Sequence, residues 1–115
     1  GRISNNLIEV RQGDSFEINF HVKRGCKPVD LTGASLVMQV RDDGGNIIFT
    51  ANGTIVDSLN GRIAILLGSE HTNKPVGEYK TDVQLTTADG RVNTIFPSNV
   101  NKIATFIITE QVTEA

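Results

Sequence analysis

The chain has 115 residues, 38% of them hydrophobic and 21% charged, which is enough to bury one core without cross-links and too apolar for intrinsic disorder. Eleven Lys and Arg against 13 Asp and Glu give a formal net charge of -2, and no run of one sign forms a phosphate-binding stripe, so no nucleic-acid partner is expected. Apolar runs such as Ile63-Ala64-Ile65-Leu66-Leu67 fall far short of the ~20 residues that cross a bilayer, which argues against a membrane segment.

The chain opens on the polar Gly1-Arg2-Ile3-Ser4-Asn5-Asn6, where a secretory leader would be apolar. With Cys26 as the single cysteine no internal disulfide forms, and synthesis in a reducing cytoplasm is expected. Leu7 to Val10 reads as a short strand closed by the turn triplet Gln12-Gly13-Asp14. Ser15 to Val22 then sets Phe16, Ile18, Phe20 and Val22 on one side and Glu17, Asn19 and His21 on the other, the period of a half-buried strand. Arg24 to Pro28 breaks the pattern as a loop.

Ala34 to Arg41 alternates again. Asp42-Asp43-Gly44-Gly45-Asn46 tolerates the backbone reversal that returns the chain through Ile47 to Thr50, so a hairpin is predicted. Asn52-Gly53 predicts another turn, Thr54 to Asp57 a short strand, Asn60-Gly61 a third turn and Arg62 to Leu67 a strand. Ser69 to Lys74 has room for one helical turn, stopped by Pro75, with Ser69 as its N-cap. Glu78 to Thr86 alternates about Tyr79, Thr81, Val83 and Leu85, and Ala88-Asp89-Gly90 turns it into a return strand, Arg91 to Phe96. Lys102 to Thr109 is β-branched and aromatic enough for a buried strand, and 111–115 is a polar tail.

About eight or nine short strands, with turn signals roughly every 8–12 residues, predict an all-β domain over residues 1–115: an antiparallel Ig-like β-sandwich. No stretch is long enough for the crossover helices of a parallel α/β fold.

No catalytic or cofactor constellation interrupts this pattern. Asp42, Asp43 and Asn46 gather oxygens in a Gly-rich loop but lack the alternating acids and closing Glu of a calcium loop, so a plain turn is expected and no metal. Zinc needs three or four ligands, and His21, His71 and Cys26 are the only histidines and cysteine available. Cys26 between Gly25 and Lys27 reads as a loop thiol. Ser69, Glu70 and His71 share residue types with a catalytic triad, but neighbours in sequence do not form one, and no nucleophile elbow is present. Gly44-Gly45 lacks the Lys of a phosphate-binding loop. The expectation is a protein that is not an enzyme, with no cofactor and no small-molecule substrate. A carbohydrate- or ligand-binding sandwich is the alternative. It is disfavoured by the absence of Trp and the presence of one Tyr and five Phe, most at inward phases.

In order, Gly13-Asp14-Ser15-Phe16, Pro28-Val29-Asp30-Leu31-Thr32-Gly33-Ala34 and Val40-Arg41-Asp42-Asp43-Gly44-Gly45 form a series with Asn60-Gly61-Arg62-Ile63, Gly77 to Leu85 and Ala88-Asp89-Gly90-Arg91. This series resembles the small Ig-like β-sandwich domains of tailed-phage virions, and most nearly the N-terminal domain of the baseplate upper protein family, over residues 13 to about 108. The resemblance implies a structural virion component, made in the host bacterial cytoplasm and joined by protein contacts to other virion proteins or to copies of itself. Baseplate, tail-associated and capsid-decorating positions stay open. Members of that family continue into longer C-terminal regions. Because such contacts use sheet edges and terminal arms, Arg2 and Ile3 in the arm 1–6, with Leu7 and Ile8 after it, are the candidate partner-contact residues.

Overall fold

The computed structural model describes residues 1–97 and 103–110. The expected polar tail 111–115 and the predicted strand start at Lys102 lie outside the described residues. In chain order the elements are β1 (Arg2–Ile3), β2 (Leu7–Arg11), β3 (Phe16–His21), β4 (Lys23–Arg24), β5 (Lys27–Pro28), β6 (Ser35–Arg41), β7 (Ile47–Asp57) and β8 (Arg62–Leu67). A helical turn α1 (Ser69–Thr72) is followed by β9 (Gly77–Thr86), β10 (Val92–Phe96) and β11 (Ala104–Thr109).

The all-β prediction holds. Strand alternation is the reason: in β6, Leu36, Met38 and Val40 are buried while Ser35 and Arg41 face solvent. Hydrogen bonding orders the strands β1-β2-β11-β9-β6-β7-β8-β3, with β10 also paired to β9, and β4-β5 form a separate small hairpin. One core collects the inward residues of this whole path, from Ile8, Val10, Phe106 and Ile108 through Val83, Met38 and Phe49 to Ile65 and Ile18. The path curls toward closure, since a Cβ placed on Gly1 would lie 2.8 Å from the Phe16 ring, which brings the first strand against the last.

The structure departs from the predicted architecture in pairing. β11 runs antiparallel to β9 but parallel to β2, with Phe106 beside Ile8 and Ile108 beside Val10. The sheet is therefore mixed rather than antiparallel throughout. No local pattern distinguishes the two cases, because parallel and antiparallel strands share the same period of two. β1, β4 and β5, each of two residues, are too short to show any period. The arm predicted over 1–6 is in part β1, and the loop predicted over Arg24 to Pro28 is the hairpin β4-β5.

A second correction concerns Asn52-Gly53. No turn forms there; β7 runs without a break for 11 residues. Its first part pairs with β6 and its second with β8, the change falling between Asn52 and Gly53. The glycine serves close packing: a Cβ at Gly53 would lie 2.7 Å from Leu36 Cβ and 3.2 Å from the Ala64 carbonyl oxygen. By contrast, the turn predicted at Asn60-Gly61 is present, with Gly61 at φ +68°, a conformation that favours glycine.

The helical turn is present, but Gly68 and not Ser69 is its N-cap. The Gly68 N–H donates to His71 Nδ1 at 3.0 Å, so the histidine closes the turn from inside, where no Ser69 cap forms. Thr72, fully buried, donates its hydroxyl to the Asp14 carbonyl oxygen at 2.7 Å, tying α1 to the chain just before β3. From α1 the chain enters β9, where buried Tyr79 donates its hydroxyl to the Pro75 carbonyl oxygen.

Candidate functional site

The N-terminal segment, the candidate for partner contact, forms one margin of the sheet. Arg2 stands opposite Glu9 and Ile3 opposite Ile8, and Arg2 Nε donates to Glu9 Oε1 at 3.0 Å. That hydrogen bond holds the Glu9 carboxyl below the usual carboxylate range. Ile3 is 43% exposed while Ile8 is 0% exposed, and Leu7 is half-buried. Ile8 therefore belongs to the core. β1 shields only the Ile8–Glu9 stretch of β2; beside it, Gly1, Arg2, Glu9, Val10, Arg11 and Thr109 line a shallow hollow of about 210 Å³.

A second margin escaped the sequence reading. Among the described residues β3 pairs with β8 alone and β10 with β9 alone. At the Phe16 end of β3 the curl is shut by Gly1, but at the other end Phe20, His21, Val22 and Lys23 face Thr94 and Ile95 across a cleft of about 310 Å³. Phe20, Val22 and Ile95 pack against the core from its periphery. Periodicity shows which face of β3 is buried; whether a neighbouring strand covers its edge depends on strand order, which has no local signal.

The residues weighed for chemistry are engaged structurally or stand apart. Asp42 Oδ1 accepts the N–H groups of Gly44 and Asn46, each at 2.9 Å, and Oδ2 accepts from Asn46 Nδ2 at 3.2 Å. The Asn46 backbone bond leads in lowering its pKa. The Asp42 carboxylate thus builds the β6–β7 turn. Asp30 caps the Leu31-Thr32-Gly33 turn in the same way, accepting from the Thr32 hydroxyl and N–H. The His71 ring lies tilted against that of Phe49, the ring centres 5.3 Å apart. Because Nδ1 accepts from Gly68, its proton sits on Nε2, so the 3.6 Å approach to Glu70 is not a donated hydrogen bond. His21 lies at the far end of β3, seven residues past the Asp14 that anchors α1, roughly 20 Å of extended chain. Cys26 is exposed in the β4-β5 hairpin. Among the described residues no three His, Cys, Asp or Glu side chains are placed to hold a metal ion, and no helix is long and apolar enough to cross a membrane.

Comparison with solved structures shows the same fold in CopC from Methylosinus trichosporium OB3b, at 11% identity and a TM-score of 0.51, covering 96% of this chain and 90% of that one. At that identity the likeness concerns the fold alone. No curated protein matches the sequence. The family model described as the BppU N-terminal domain matches residues 1–113.

Proposed function

We infer the role of this protein from the family it belongs to, that of the BppU N-terminal domain, which covers residues 1–113. Membership points to a structural protein associated with the phage baseplate. We read it as a non-enzymatic component of a tailed-phage virion that works through protein-protein contacts, with other virion proteins as its partners. The observation that carries this reading is the match over nearly the whole chain. The geometry agrees with it: Asp42 is used in a turn and His71 in a helix cap, and sheet margins are available for contact.

As one domain, the chain is proposed to fold as an Ig-like sandwich, in which β7 passes from one layer to the other. A Tyr near the start of β9 that bonds back to the backbone four residues upstream supports that assignment, because the same corner recurs in Ig-type sandwiches. Arg2, Ile3 and Leu7 are retained as contact residues at the β1-β2 margin. The test is incorporation of a variant lacking residues 1–6 into particles. Loss of incorporation with retained folding supports the N-terminal contact, and unchanged incorporation refutes it.

A further inference from the structure

We propose that the open end of β3 is a strand-acceptor site: the cleft between β3 and β10 takes an extended acidic segment of a neighbouring virion protein, added to the β3 edge. The proposal rests on the contact role argued above and names where and with what chemistry one contact is made.

Three observations converge on it. First, backbone hydrogen-bonding groups face the cleft. Val22 donates its N–H to the Gly61 carbonyl oxygen at 2.7 Å and accepts from the Val29 N–H at 2.9 Å. Successive residues of an extended chain turn their N–H and C=O groups to opposite edges. Those of His21, and two residues earlier of Asn19, therefore point away from β8, toward the open margin. Second, the cleft has the right floor for a strand with alternate apolar side chains: half-buried Phe20, Val22 and Ile95. β10 is the weaker acceptor, because its ladder with β9 slips between Thr94 and Phe96 and a bulge of that kind blunts an edge. Third, the charge at this end of β3 is positive, the exposed Glu17 that accepts from Asn19 lying four residues before His21. Lys23 lines the cleft beside His21, no carboxylate among the described residues lines it, and exposed Arg24 and Lys27 follow in the adjoining β4-β5 hairpin. A row of cations along an open edge repels cationic strands and admits acidic ones.

The test is a titration of the 115-residue protein, followed by backbone amide NMR, with two end-capped heptapeptides, one alternating Val and Glu and one alternating Val and Lys. The acidic peptide is expected to shift the amides of His21, Lys23, Thr94 and Ile95 in a saturable way, and to bind about tenfold more tightly than the basic one. The exposed double substitution Lys23→Glu with Lys27→Glu reverses that preference. N-methylating the acidic peptide in one of its two alternating frames abolishes binding, since only one frame turns its N–H groups to β3. Absence of saturable shifts, equal binding of both peptides, or indifference to both N-methylated frames overturns the proposal. So does concentration-dependent broadening of the same amides without peptide, which would assign the edge to a second copy. Failure here leaves the particle-incorporation result standing, so the two readings fail separately.

Discussion

Adding one methyl group at Gly53 tests whether β7 is one strand crossing from β6 to β8 or two strands joined by a turn. In the structure the Cβ of a Gly53→Ala variant would start 2.7 Å from Leu36 Cβ, 2.9 Å from Leu36 Cδ2 and 3.2 Å from the Ala64 carbonyl oxygen. Leu36 is 2% exposed and sits where it cannot swing to solvent, so the clash forces a shift of packed atoms. Overpacking of this kind costs about 1–3 kcal/mol, offset by the ~0.4–1 kcal/mol that alanine gains by restricting the unfolded chain. The net expectation is about 1–2 kcal/mol of destabilisation in urea denaturation, or a fall in Tm of roughly 4–8 °C for a domain of this size. The double-mutant cycle with Leu36→Ala carries the diagnosis. Leu36→Ala alone costs about 2–5 kcal/mol, but it vacates the space the new methyl needs. The two changes should then be coupled by about 1 kcal/mol or more, the double variant being more stable than the sum of singles. Additivity within about 0.5 kcal/mol, or a stabilising Gly53→Ala, would refute the close crossing.

Tyr79→Phe removes the bond to the Pro75 carbonyl and should cost about 1 kcal/mol in chemical denaturation. Burial raises the Tyr79 pKa, so its stabilising contribution is lost as pH rises through that value, and the variant should lose less stability than the parent at strongly alkaline pH. Asp42, Asp30, Asp89 and Glu9 all have lowered pKa values. Their contribution is complete above the ordinary carboxylate value of about 4 and disappears as pH falls through the depressed folded values. Asp42→Asn should lower Tm at neutral pH and flatten the acid limb; an acid limb identical to the parent's would count against the Asp42 turn. Phe106→Ala empties a fully buried position whose ring meets Phe49 edge-on at 5.5 Å, and a loss of about 3–5 kcal/mol is expected in denaturation.

The strand faces are legible in the local sequence for a physical reason: the side chains of a half-buried strand must alternate. The buried faces of β3, β6 and β9 follow from Phe16 to Val22, Ala34 to Arg41 and Glu78 to Thr86, and the Asp42 turn follows from residues that accept its backbone geometry. Gly53 shows where such reasoning stops. Asn-Gly is a turn signal in isolation, but here the glycine answers to Leu36 and Ala64, neighbours brought together only by folding. Ile8 illustrates the same limit, since a residue next to a polar arm became core once β2 packed beside β11. The Ser69 cap was displaced by His71 through a contact inside the turn that side-chain type alone does not reveal.

By itself the sequence determined an all-β chain, its strand faces, most of its turns and the resemblance to baseplate upper proteins that the family match bears out. Tertiary structure alone decided the parallel pairing of β2 with β11, the passage of β7 between partners and, among the described residues, the margins left open at β1-β2 and at β3. The division has one cause. Which face of a strand is buried is set by its own residues, whereas which strand lies at its edge is set by the order in which distant segments meet.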